Sequence, residues 1–411
     1  MVKAAEATLA RGIEREVVVV GGGPAGSAVA SLLGRRGRDV LLLDAARFPR
    51  DKVCGDSVSP SAWPLLDALG ATERVQALSP YPLRGMRLVS PDGTSFRGLY
   101  RGQDRPGFAL RRLVLDDALL QSAREAGAEV EEGARVVSLL RSQGAVEGVV
   151  VEAAGGRRAI RARVVVGADG RSSVVGRSLG VLREHPRFVR FSVRGYWEGV
   201  FGLSETGEMH VGTRGYCGIA PLSATRANVA FVIGQRDMLG AAGDLEGFYR
   251  AMLAGRFPRV AERLEGARLL EAPRAIGPLA LECRRVALPG AVLVGDAAGF
   301  YDPFTGEGVT LALRTAGLAA SAVDDALGRE PGGTLPRLRA YERERSSATR
   351  DKFRFNRLLQ TAVTWPAAAD AIAHRLARRP DLADRLVGIA GDFVPARAAF
   401  DRHFLWDLLR A

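Results

Sequence analysis

Residues 17–56 read VVVVGGGPAGSAVASLLGRRGRDVLLLDAARFPRDKVCGD, and the first two thirds of that stretch decide the fold. Four valines make an apolar run of strand length that ends on three glycines. The small-residue segment AGSAVASLLGRRG has the composition of a helix packed closely on a sheet, and VLLLD is a second buried strand closing on Asp44. Gly21, Gly23 and Gly26 satisfy GxGxxG between strand and helix. At that spacing the first glycine permits a tight turn, the second lets the backbone approach a pyrophosphate, and the third allows close helix-sheet packing. Pro24 and Ala25 open the helix, whose free N–H groups and partial positive charge favour an anion. Asp44 lies 23 residues beyond Gly21, where a carboxylate accepts from ribose hydroxyls. A glycine cluster alone fits an ordinary turn; joined to Asp44 it predicts dinucleotide binding.

Working outward, apolar runs of strand length recur at 40–43, 128–131, 136–140, 148–152, 164–166 and 291–294, with helical patterns between several of them. This alternation predicts an α/β fold, a Rossmann-like domain built from non-contiguous segments. Between Phe188 and Gly234 the texture changes to short alternating strands, FVRFSVRGYW and ANVAFVIG, split by glycine-rich turns, which predicts an antiparallel-sheet domain as the substrate platform. From Leu335 onward the pattern is amphipathic and helical, punctuated by Pro336, Pro366, Pro380 and Pro395. The expected division is 14–80 with 108–182 and 280–332 for the nucleotide domain, 81–107 with 183–279 for the substrate sheet, and 333–411 for a helical C-terminal region.

The composition narrows the partners. The 411 residues carry a net charge of +12, and all but three of the 58 cations are arginines. They are interleaved with acids and accompany neither aromatic-basic repeats nor a helix-turn-helix pattern, which argues against nucleic acid. Cys54, Cys217 and Cys283 are widely spaced, so neither a disulfide framework nor a metal site is expected. With no apolar leader at the start and no run long enough to span a bilayer, a cytoplasmic protein is expected, peripheral membrane contact remaining open.

Two further motifs follow buried strands: Asp169-Gly170 in VVVGADGRSS and Gly295-Asp296 in AVLVGDAAGFYDPFTGEGV. Each fits a capped turn by itself. In this order, after GxGxxG, they resemble the pattern of the para-hydroxybenzoate-hydroxylase-type FAD oxidoreductases, over most of the chain from Glu16 to about Ala320. The resemblance implies FAD as cofactor, with Asp44 on the adenosine ribose, Asp296 on the ribitol, Asp169 serving the cofactor region, and Arg112 near the pyrophosphate. Val136 joins this expected cofactor set. Reduced flavin carries negative charge at its pyrimidine end, and PFTGEGV supplies donors there. Pro303, Gly306, Glu307 and Gly308 precede a helix whose amides would face the ring, Glu307 through its backbone. No second GxGxxG follows a later strand, so the expectation is NAD(P)H as a transient reductant or reduced flavin delivered by a separate reductase.

RFPRDKVCGDSVSP resembles the K-V-C-G-[DE] signature of the geranylgeranyl-reductase branch, which also contains hydroxylases and is related to flavin-dependent halogenases. That likeness puts Cys54 and Gly55 beside the isoalloxazine ring. Isoprenoid reductases of the branch carry a YxWxFP-like stretch; here GYCGIAPLS keeps Tyr216 and Pro221, but Gly218 and Ala220 replace the aromatics. The halogenase WxWxIP pattern is missing. The expectation drawn from these departures is a monooxygenase acting with O2, through a flavin C4a-hydroperoxide, on an apolar, aromatic or polyketide-like molecule, with double-bond reduction as the alternative. Gly306, Gly308, Cys54 and His210 are the candidate catalytic positions, and Tyr196, His210, Tyr216 and Pro221 the candidate substrate contacts.

Overall fold

The computed structural model describes residues 13–186, 188–328 and 334–409. The domain edge expected between 332 and 333 therefore lies outside the described residues. Two eight-stranded sheets face each other across the molecule.

The first sheet has a parallel core in the order Ala291–Leu293, Gly156–Gly167, Ile13–Val20, Val40–Asp44, Glu129–Glu132. Its central strands are buried on both faces, as continuous valine and leucine runs require. Helices Pro24–Gly34, Arg112–Glu125 and Gly308–Leu327 pack against it. The long strand Gly156–Gly167 also pairs antiparallel with Ala145–Ala153, which pairs in turn with Arg135–Ser142. All the loops that carry the glycine and aspartate motifs leave the carboxyl ends of these parallel strands, where open α/β sheets bind ligands.

The second sheet runs Arg268–Leu269, Arg190–Glu198, Arg226–Gly234, Gly215–Pro221, Gly207–Gly212, Gly85–Val89, Ser95–Leu99. It is antiparallel except where Gly207–Gly212 meets Gly85–Val89, a parallel pair that no hairpin could make. Alternation sorts its side chains. Val193, Cys217, Ile219, Val229, Phe231 and Ile233 pack on helices Leu245–Arg256 and Pro258–Arg263. Their neighbours Ser192, Tyr216, Ala230 and Val232 point the other way and line the space between the sheets. The C-terminal helices Thr334–Thr364, Pro366–Arg378 and Pro380–Ala390 form a third layer; Phe355, Leu376, Leu382 and Ile389 share a core there with Phe96 of the second sheet. Proline in the first turn starts the last two of these helices.

Candidate active site

A cavity of about 530 Å³ runs between the sheets from Asp44 at one end to the wall of the second sheet at the other. At its nucleotide end Gly21 adopts φ +102°, and a Cβ there would sit 2.6 Å from the Ala168 carbonyl oxygen. A Cβ on Gly26 would lie 1.8 Å from the Gly21 oxygen. The loop therefore closes on itself only with hydrogen at both positions. Asp44 accepts from the Gly22 N–H at 2.7 Å through Oδ2 and from the Ala46 N–H at 2.8 Å through Oδ1. Each oxygen keeps a lone pair for a ribose hydroxyl.

Along the cavity the cations are held by buried acids. Arg112 grips Asp116 in a two-pronged pair at 2.6 and 2.8 Å, and Arg50 reaches the same carboxylate at 3.1 Å. Burial opposes the charge on Arg112, yet Asp116 and the neighbouring Cys54 outweigh it and hold the guanidinium above its usual range. Lys52 Nζ lies 3.2 Å from Asp296 and bridges the KVCGD segment to the loop after the Ala291–Leu293 strand. Asp169 accepts from the Ser173 hydroxyl and from the Val174 and Val175 amides, capping a short helix. Burial pushes its carboxyl up, and these donors partly offset the rise.

At the far end of the nucleotide half, Pro303, Gly306, Gly308 and Val309 line the cavity. The first bond of helix Gly308–Leu327 runs from Leu311 N–H to the Glu307 carbonyl, so the amides of Gly308, Val309 and Thr310 have no helical acceptor. The side chain of Glu307 turns away from the cavity into a buried ion pair with Lys352, whose Nζ also donates to the Ile389 and Ala390 carbonyls at 2.6 and 3.0 Å. Burial pushes the Glu307 carboxyl up to about 8, with Lys352 pulling the other way.

The KVCGD turn joins the two sheets. Cys54 Sγ accepts from the Asp56 N–H at 3.4 Å, and the Cys54 carbonyl accepts from Asn228 of the second sheet at 2.8 Å. Asp56, at φ +57°, is fully buried and accepts from Tyr196 Oη at 2.6 Å, Asn228 Nδ2 at 2.7 Å and the Arg112 N–H at 3.1 Å. Burial raises its pKa, and those donors pull it back.

The cavity brings together Gly21, Gly23, Pro24, Ala25, Asp44, Cys54, Gly55, Arg112, Val136, Asp169, Gly170, Gly295, Asp296, Pro303, Gly306, Gly308 and Tyr216. Gly26 supports it from behind. Four further expected positions lie outside the lining. Tyr196 is sealed off with its hydroxyl on Asp56 and its ring between the Arg111 and Arg194 guanidinium groups, at 4.0 and 4.1 Å. His210 projects from the opposite face of its strand, where it meets Glu208 at 3.1 Å. Pro221 ends its strand beyond the cavity, and the Glu307 side chain faces Lys352. Sequence reasoning missed Arg50, Lys52, Tyr100 and Met86, which line the cavity, and Asp56 and Asn228, which fix the KVCGD turn. Lys52 is one of three lysines in the chain and sits inside a motif already singled out, which was signal enough.

The lining fits an outstretched FAD: a ribose acid, a pyrophosphate loop, a second acid at Asp296 and free amides at the ring end. The family pattern described as an FAD binding domain matches residues 14–232. The chain belongs to the para-hydroxybenzoate-hydroxylase-type FAD-dependent oxidoreductases. FAD is its cofactor, and its relatives place it in the geranylgeranyl-reductase-like branch. It is 32% identical over 319 residues to menaquinone reductase of Mycolicibacterium smegmatis, covering 74% of this chain and 75% of that one. It is also 32% identical over 338 residues to digeranylgeranylglycerophospholipid reductase of Methanothrix thermoacetophila, covering 80% and 82%. A solved flavin-dependent brominase superposes with a TM-score of 0.81 at 20% identity, over 96% of this chain and 98% of that one, and shares the fold.

Proposed function

We propose that this oxidoreductase saturates carbon–carbon double bonds of an isoprenoid chain, with NAD(P)H as the source of electrons. The observation that carries the reading is the apolar wall of the second-sheet half, where Met86, Met209, Val232, Ile276, Leu279 and Phe304 line the cavity. Flexible methionines and branched aliphatic residues suit a bent hydrocarbon chain. Likeness to two enzymes named as reductases, over 74% and 80% of the chain, favours double-bond reduction over the hydroxylation that the altered GYCGIAP stretch put first.

When bound, reduced FAD supplies a hydride. The chain's own part is to exclude water with Phe300 and Phe304, to meet negative charge with the amides of Gly308 and Val309, and to hold the Cys54 turn between the two halves. We assign Cys54 to the wall of the reaction zone on that ground. The test is anaerobic: photoreduced enzyme mixed with a prenylated lipid is expected to lose its reduced-flavin spectrum and to yield product heavier by one pair of hydrogens. Product that forms only when oxygen is admitted, heavier by one oxygen atom, overturns the reading.

One observation favours the second reading. A Cβ on Gly218 would have no atom nearer than 3.7 Å, and Ala220 beside it is small, so the wall at GYCGIAP leaves room for a flat ring. That space suits an oxygen-dependent hydroxylase of an aromatic compound, and the same experiment separates the two.

A further inference from the structure

The two halves of the cavity differ in charge. The lining cations Arg50, Lys52, Arg112, Arg135 and Arg171 all come from segments around the first sheet. Among the described residues that line the second-sheet half there is no cation, and Glu208, which borders it, turns its carboxylate to Arg263 and His210 on the far face of its strand. An anionic head group entering that half would lose its water without gaining a counter-charge.

Hydroxyls remain as a way of reading the substrate, and they are not equivalent. Tyr216 is committed, its Oη donating to the buried Asp302 at 2.5 Å. Tyr100 is different. Its ring stands edge-on to Phe393, with centroids 5.4 Å apart and planes at 84°, and packs with Leu83, Ala109 and Ala220. The ring is fixed, it lines the cavity, and none of the hydrogen bonds among the described residues uses its hydroxyl. Burial pushes the phenol's pKa up, so it stays protonated and able to donate.

We infer that Tyr100 determines specificity by donating a hydrogen bond to an uncharged oxygen of the substrate, so that the cavity selects neutral prenyl compounds bearing a hydroxyl, ether or carbonyl oxygen over prenyl diphosphates. The prenyl part of this statement rests on the reductase reading; the Tyr100 part does not.

The experiment titrates the oxidised, FAD-loaded protein with geranylgeraniol, geranylgeranyl diphosphate, the matching oxygen-free hydrocarbon and a simple phenol, following the shift of the flavin absorbance. Geranylgeraniol is expected to bind at least about tenfold more tightly than the diphosphate. Tyr100→Phe, with its flavin content verified, is expected to weaken geranylgeraniol about tenfold and to leave the hydrocarbon within about twofold. Tighter binding of the diphosphate, or equal losses for alcohol and hydrocarbon, overturns the inference. If only the phenol shifts the flavin, the reductase reading fails, and Tyr100→Phe decides on the phenol: about tenfold weakening supports the tyrosine's role, unchanged affinity overturns it. No shift with any of the four overturns both.

Discussion

The nucleotide half of the cavity is shaped by glycine turns and helix ends with charged side chains set around them, and the second-sheet half by the side chains of its strands. In the first, the loop Gly21–Ala25, the Gly170 and Gly295 turns and the residues after Glu307 line the cavity, while side chains such as Asp116 and Lys352 brace it from behind. In the second, residues of the strands Gly85–Val89, Arg190–Glu198, Gly207–Gly212, Gly215–Pro221 and Arg226–Gly234 supply the wall. A backbone site depends on where a Cβ is forbidden. A side-chain site depends on which face of a sheet turns inward, and it can be rebuilt one residue at a time without disturbing the fold.

The largest effect should therefore come from adding one methyl group to the backbone half. Gly26→Ala puts a carbon 1.8 Å from the Gly21 oxygen, and main chain cannot rotate aside as a flexible side chain can. Overpacking of this kind costs on the order of 1–3 kcal/mol or more. The expected outcome is a lowered Tm and at least about tenfold less flavin retained per protein, read from absorbance after gel filtration. A variant that keeps its full flavin would break the contrast drawn here.

A smaller and pH-dependent effect tests the bracing from behind. Glu307 titrates near 8 in the folded protein, raised by burial, against about 4.3 for an unperturbed glutamate. Between those values the folded state holds a proton that the unfolded chain has released. Stability therefore declines as pH rises through that window and levels off above it. Glu307→Gln removes this titration, so its Tm should fall less than that of the parent between pH 5 and 8, by about 3 °C. Parallel curves for the two proteins would show that the carboxyl gains no proton on folding.

This division also explains what the sequence made legible. Gly21, Gly26 and Asp44 were readable because the turn and the helix contact tolerate few other residues, and their spacing is fixed by one strand, one turn and one helix. The parallel strands were readable as unbroken apolar runs. The parallel junction between Gly85–Val89 and Gly207–Gly212 was not, since its partners lie far apart in sequence and neither run announces the other. Asp56 and Asn228 were equally hidden. They meet 172 positions apart; Asp56 closes the KVCGD motif, but nothing in sequence pairs it with Asn228, an ordinary polar residue of a strand. At GYCGIAP the sequence showed which aromatics were absent, whereas the space left beside Gly218 is visible only in three dimensions.

His210 gives the smallest predicted effect and the sharpest test of the side-chain half. Strand periodicity puts Glu208 and His210 on one face, as found, but a period of two cannot say whether that face meets the cavity or the helices behind the sheet. The neighbours decide it: Met209 and Val211 join the cluster that includes Tyr216 and Phe304, while His210 pairs with Glu208, which Arg263 of helix Pro258–Arg263 also engages. Burial works to raise the Glu208 carboxyl, but His210 and Arg263 outweigh it and hold the group below its ordinary range. His210→Ala should thus cost about 1 kcal/mol of stability through the lost partner of a buried carboxylate, while kcat/KM stays within about twofold of the parent. A tenfold fall in kcat/KM with an unchanged Tm would mean that the histidine reaches the substrate after all, and that the face assigned to this strand is wrong.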